Sequence, residues 1–358
     1  MTFPSLRDDL GTLEGYHSPQ VDVPVRLNTN ESPYPPPEAF VHAFAEAVAS
    51  VPYHRYPDRA ARSLRAALAD FLGQPAERIL CANGSNEILQ AVLLAYGGTG
   101  RRAAVFQPGY LLHSHIARIT GTSVVVGERE ADFSLDPAAA TALVTEHRPD
   151  VTFVCTPNNP TGTVERRESL EAILDAAPGL VVVDEAYGEF APWSALELVA
   201  DDRPLVVVRT FSKVWSLAAV RLGFCVAPPR VVADLEGVLL PYHLSVPTQL
   251  AGRLALGFRS EMEARVKTIV SERDRVGAGI AAVEGTTVWP SGANFILFRP
   301  AGDGHQVWQA LLDRGVLVRD FSRMPGLEGC LRVTVGTPDE NDAFLSALQE
   351  ATKEAVAP

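Results

Sequence analysis

The sequence predicts an α/β protein, with a large domain on a mostly parallel seven-stranded sheet and a smaller α+β domain after it. Three observations predict this. Seven short apolar runs recur between residues 78 and 227. Helical apolar spacings separate most of them, the alternation expected of parallel strands joined by crossover helices. Near Ser260 the pattern changes to one long helical stretch followed by shorter strands and two more helices.

Taken in order, residues 1–37 are irregular and rich in turn formers, ending in "ESPYPPP", where consecutive prolines exclude a helix. "EAFVHAFAEAVAS" (38–50) and "RAARSLRAALADFLG" (59–73) have helical spacing, the second stopped by Gly73. The seven runs are "RILC" (78–81), "RAAVF" (102–106), "TSVVV" (122–126), "VTFVC" (151–155), "LVVV" (180–183), "PLVVV" (204–208) and "LGFCVA" (222–227). The last two lie close together, so one of them is a candidate antiparallel strand. A helix is expected from about Ser260 to Val283. Then come "NFILF" (294–298), a helix near 305–313, "GVLVR" (315–319), "LRVTV" (331–335) and a final helix from about Asp339. The expected division is an N-terminal segment 1–50 packing with the small domain, a large domain 51–259 and a small domain 260–358.

The composition fits a globular protein, 47% hydrophobic and 21% charged. A formal net charge of −12 disfavours nucleic acid or an anionic membrane as partner, since both attract basic surfaces. Cys81, Cys155, Cys225 and Cys330 are widely spaced without a CxxC, which reads as reduced core thiols in a cytoplasmic protein and offers no metal site. The N-terminus lacks a secretory apolar core, and no apolar stretch is long enough to span a bilayer.

Ligands of open α/β sheets sit beyond the carboxyl ends of the strands. There the sequence places "ANGSNE" (82–87), "QPGY" (107–110), "TPNNPTG" (156–162), "DEAYGEF" (184–190) and "RTFSK" (209–213). Read alone, Ser85 is a plain helix cap, Asp184 half of a structural ion pair, and Asn159 part of a rigid turn. Lys213 is harder to dismiss, because a lysine ending a buried strand needs a chemical reason. A desolvated lysine has a depressed pKa and forms a Schiff base with an aldehyde. Pyridoxal 5'-phosphate sites pair such a lysine with an acidic partner for the pyridine nitrogen, here Asp184. Ser85, Asn86, Thr210, Ser212 and Arg221 supply what the phosphate needs: a helix start, small hydroxyls and a guanidinium.

With these residues placed, the chain resembles the fold-type I pyridoxal-phosphate aminotransferases, and within them the histidinol-phosphate aminotransferases of actinobacteria. The resemblance covers nearly the whole chain, through "RLNTNESPYPPP", "HRYPD", "ANGSNEILQ", "TPNNPTG", "VVDEAYGEF", "RTFSK", "RLGF", "LPYHLS" and "LRVTVGT". It implies that Lys213 carries the cofactor and moves the proton, that Asp184 binds the pyridine nitrogen, and that Asn159 and Tyr187 bond the ring 3'-oxygen. It implies that Tyr110 stacks on the ring. It implies a homodimer with shared active sites, in which Tyr56 reaches the neighbour's cofactor phosphate. It places substrate contacts at Tyr16, Asn30, Glu31, Tyr242, Arg319 and Arg332. The implied substrates are a phosphorylated amine, histidinol phosphate, and a 2-oxo acid, 2-oxoglutarate, in histidine biosynthesis. An aromatic amino-acid aminotransferase and a decarboxylase of a phosphorylated amino acid share the cofactor motifs. The chain departs from the usual pattern at Ser32, Trp215, Ala219 and Arg323. A nicotinamide-binding fold is disfavoured: no GxGxxG follows a strand, and Lys213 would have no use. A pyridoxal-phosphate-sensing transcription regulator is disfavoured too, since the pattern begins by about residue 26 and leaves no room for a basic DNA-binding domain.

Overall fold

The computed structural model describes residues 3–11, 15 and 19–356. Twelve strands are assigned among them. β1 is Val25–Leu27, β2 Ile79–Ala82, β3 Arg102–Gln107, β4 Ser123–Glu128, β5 Val151–Cys155 and β6 Leu180–Asp184. β7 is Leu205–Thr210, β8 Gly223–Val226, β9 Thr287–Val288, β10 Phe295–Arg299, β11 Val316–Asp320 and β12 Leu331–Thr334.

β2 to β8 form one sheet in the order β2-β8-β7-β6-β5-β3-β4. Each of the seven apolar runs becomes one of its strands. All neighbours are parallel except β8, which runs antiparallel to both β7 and β2. The apolar runs are continuous because both faces of this sheet are covered. Along β6 and β7, Val181, Val183, Leu205 and Val207 enter one hydrophobic core. Val182, Val206 and Val208 enter the other, as the period of two requires. Leu64 and Leu68 of helix Arg62–Leu72 pack on the first face, and Ile88, Leu89 and Val92 of helix Ser85–Tyr96 on the second. Gly73 ends the earlier helix in the left-handed region (φ +64°), as its place in the sequence suggests.

The second sheet has the order β1-β11-β12-β10-β9. Its inner face packs on helices Arg259–Ala281 and Pro338–Val356 through Val276, Ile280, Phe344 and Leu348. β1 lies in a stretch the sequence leaves irregular. It pairs parallel to β11, Val25 with Val316 and Leu27 with Val318. This pairing brings residues 28–31 directly over the carboxyl ends of β5 to β7. All four cysteines are buried and unbonded to one another. No helix among the described residues is long and apolar enough to cross a membrane, and no cluster of side chains there suits a metal ion.

Candidate active site

A cavity of about 410 Å³ opens at the carboxyl ends of these strands. Its lining includes Ser85, Asn86, Tyr110, Asn159, Asp184, Tyr187, Thr210, Ser212, Lys213 and Arg221, all singled out from the sequence, together with Asn30, Glu31 and Arg332. Five separate strand ends therefore converge on one space.

Lys213 follows β7, and its Nζ donates to the carbonyl of Thr29 (2.9 Å). Burial, reinforced by the nearby Arg332 and Arg221 charges, pulls its pKa down to about 8. A neutral amine, the nucleophilic form, is thus accessible near physiological pH. Asp184 ends β6 and is 2% exposed. One oxygen accepts from the backbone N–H of Ala186 (3.0 Å), and the other lies 3.1 Å from Nε2 of His113. A carboxylate can only accept, so Nε2 carries the proton. His113 lies flat on Phe153 (4.7 Å between centroids) and edge-on to Tyr110, which fixes its ring. The sequence gives no reason to single out His113, since it sits within an ordinary helical run. The adjacent Glu185 points the other way, into a buried pair with Arg209 (2.8 Å) and Ser194 (2.8 Å). The two carboxylates of "DEAY" thus divide into one facing the cavity and one anchoring the strand end.

The start of helix Ser85–Tyr96 forms a cradle at the far end of the cavity. Gly84 precedes it at φ +73°, and no side chain among the described residues caps it. A Cβ on Gly84 would meet Nη2 of Arg221 at 2.6 Å, so glycine lets the guanidinium lie against this turn. A Cβ on Gly223 would meet the backbone N of Ser85 at 2.3 Å, which explains the glycine in "RLGF". Arg221 Nη1 also reaches Ser212 Oγ (3.4 Å), whose hydroxyl accepts from Thr210 (3.0 Å). Amide groups at a helix start, two hydroxyls and a guanidinium suit a phosphate. With Lys213 for an aldehyde and Asp184 for a ring nitrogen, the residues fit pyridoxal 5'-phosphate.

Above the cavity, Arg332 on β12 is buried. It donates to Asn159 Oδ1 and to the carbonyl of Asn28 (2.8 Å). Its β11 neighbour in register is Arg319, which borders a small adjoining cavity with Arg332, Tyr110 and Asn159. Asn30 lines the main cavity, but its amide is committed to Tyr187 (2.9 Å). Glu31 is exposed and accepts from the Thr29 hydroxyl (2.8 Å). Tyr56 and Tyr242 stack on each other (4.5 Å) at the surface, outside the cavity of their own chain, at 80% and 44% exposure. Tyr16 lies outside the described residues. Of the departures, Trp215 is absorbed by the core against Phe71 and Phe211, while Ala219 lines the cavity. Ser32 bonds Ser216 (3.0 Å), and Arg323 is exposed.

The aminotransferase class I and II family matches residues 22–348. The histidinol-phosphate aminotransferase of Rhodococcus jostii is 50% identical over 357 residues, covering 96% of this chain and 92% of that one. Its counterpart from Corynebacterium efficiens is 45% identical over 355 residues, covering 96% and 94%. Among solved structures, the histidinol-phosphate aminotransferase from Sinorhizobium meliloti in complex with pyridoxal-5'-phosphate aligns over 99% of both chains. Its TM-score is 0.90 at 24% identity, a likeness of fold.

Proposed function

Because the chain belongs to the class I and II aminotransferases, enzymes that work with pyridoxal 5'-phosphate, we propose that it interconverts histidinol phosphate and 2-oxoglutarate with imidazole acetol phosphate and glutamate, a step of histidine biosynthesis. The observation that carries the substrate choice is the register pair Arg319 and Arg332 on β11 and β12. Two guanidinium forks bordering the small cavity that adjoins the Lys213 cavity suit a dianionic phosphate better than a single carboxylate. The names of the relatives agree with this reading.

The bound cofactor supplies an aldehyde for an amine and a ring that takes up the electron pair left when a proton leaves the substrate carbon. Arg221, Ser212, Thr210, Ser85 and Asn86 would hold its phosphate. Asp184, kept in place by His113 and the Ala186 N–H, would keep the ring nitrogen protonated. Asn159 and Tyr187 would bond the ring oxygen, and Tyr110 would cover a face. Lys213 Nζ would take the proton from the substrate carbon and return it, because burial lowers its pKa to about 8 and so makes the neutral amine accessible near physiological pH. The test offers histidinol phosphate, phenylalanine, tyrosine and threonine phosphate singly to holoenzyme and follows the cofactor's absorbance. Histidinol phosphate should react fastest. Preference for phenylalanine would replace this reading with an aromatic aminotransferase, and release of carbon dioxide from threonine phosphate with a decarboxylase.

The working unit we take to be a homodimer. Tyr56 stacks on Tyr242 at the surface, outside the cavity of its own chain, and in a dimer it would reach the neighbour's cofactor phosphate. Tyr56→Phe should weaken cofactor retention by about 1.5–3 kcal/mol, the range for one hydrogen bond to a charged acceptor. Equilibrium dialysis measures it. A fully active monomer at low concentration would contradict the shared site. Reduced buried thiols and small-molecule substrates suit the cytoplasm.

A further inference from the structure

We propose that Thr334 is a positioning residue that, acting through Asn30, fixes the Tyr187 hydroxyl as a hydrogen-bond donor into the Lys213 cavity; the proposal rests on the cofactor reading above. Thr334 lies on β12 of the smaller sheet, and the sequence gives no sign of a role for it. Its Oγ1 accepts from the backbone N–H of Asn30 (3.0 Å) and donates to Asn30 Oδ1 (3.0 Å). With the carbonyl oxygen of the amide so engaged, Nδ2 of Asn30 faces Tyr187 and donates to Oη (2.9 Å). Tyr187 Oη is then an acceptor on this side, and its own proton must leave on another. The open side is the cavity that Tyr187 shares with Asn159 and Lys213.

Each link is rigid. Asn30 is 1% exposed and sits at φ +57°, a left-handed conformation that asparagine tolerates better than most residues. Its carbonyl accepts from Asn294 (3.1 Å). The Tyr187 ring meets Phe295 edge-on at 5.0 Å. Arg332, two residues before Thr334 and on the same face of β12, occupies the Asn159 carbonyl oxygen in the same sense. Both Asn159 and Tyr187 are thereby left with donors, not acceptors, for the cavity. Two oriented donors hold a negatively charged oxygen, here the ring oxygen of the cofactor. The charged groups around the phenol are Lys213 (5.7 Å above the ring), Arg332 and Asp184, and the variants below leave all three unchanged.

The experiment titrates the visible absorbance of cofactor-loaded protein with pH and measures cofactor affinity for the apoprotein. Donors favour the unprotonated oxygen, so losing them should raise the pH midpoint. Thr334→Val should raise it by roughly 0.5–1 unit and weaken affinity by roughly 3- to 10-fold. Thr334→Ser should restore both. Tyr187→Phe should shift both further, and in that background Thr334→Val should add nothing, which separates action through the phenol from loosening of the fold. If valine prevents folding, Asn30→Gly keeps the left-handed backbone, deletes the amide and should give the same shifts. Wild-type midpoint and affinity in Thr334→Val, with both altered in Tyr187→Phe, would overturn the proposal and leave the cofactor reading intact. Failure of wild-type protein to bind pyridoxal 5'-phosphate at all would overturn both.

Discussion

Replacing Lys213 by alanine should abolish turnover while leaving cofactor binding in place. Loss of the proton-transferring amine alone accounts for about 10²–10⁴-fold, and the covalent anchor is lost with it. The residues proposed to hold the phosphate, Arg221, Ser212 and the Ser85 helix start, are untouched by the change, so the variant should still take up pyridoxal 5'-phosphate non-covalently. Folding should not suffer, because alanine removes a buried ammonium whose pKa burial already lowers to about 8. Absorbance of the loaded variant and single-turnover assays check both halves. Wild-type turnover in Lys213→Ala would end the present account of the cavity.

Truncating the paired arginines should give the second large effect. Arg332→Ala removes a buried guanidinium that also holds Asn159 and the Asn28 carbonyl. It should cost about 2–5 kcal/mol in kcat/KM for histidinol phosphate, the range for leaving one partner of a buried charge pair alone. It should also impair any residual activity on phenylalanine, because Asn159 loses its anchor. Arg319 borders only the adjoining small cavity, so Arg319→Ala should impair histidinol phosphate by a comparable amount and phenylalanine much less. Steady-state kinetics on both substrates separate the two roles. Intact turnover of histidinol phosphate by Arg319→Ala would remove that arginine from phosphate binding.

Much of this was legible in the sequence for a physical reason. Strands buried on both faces must be continuously apolar, so the inner strands of the large sheet stand out, while the half-exposed edge strand β4 is marked by its β-branched run at 124–126. The polar residues that follow them are placed by the chain at one edge of the sheet, so Asp184, Asn159, Lys213 and the phosphate cradle could be named together. β1 was not legible, because three residues carry no usable periodicity and its partner β11 lies near the other end of the chain. His113 and Thr334 were not legible either. Each matters through a contact with a side chain distant in sequence, Asp184 and Asn30, and neither residue type is unusual at its position. Asn30 was singled out, but the Tyr187 hydroxyl that its amide contacts could be found only from the geometry. Tyr56 and Tyr242 face outward on one chain, and their residue types alone do not mark the proposed dimer contact.

The central claim is that Lys213 is the amine that holds the cofactor, and reductive trapping tests it most directly. Holoenzyme treated with borohydride, digested and sequenced by mass spectrometry should carry the reduced cofactor on the single peptide containing "RTFSK", at Lys213. Label on Lys267 or Lys353, or no covalent label in protein that binds pyridoxal 5'-phosphate, would contradict it.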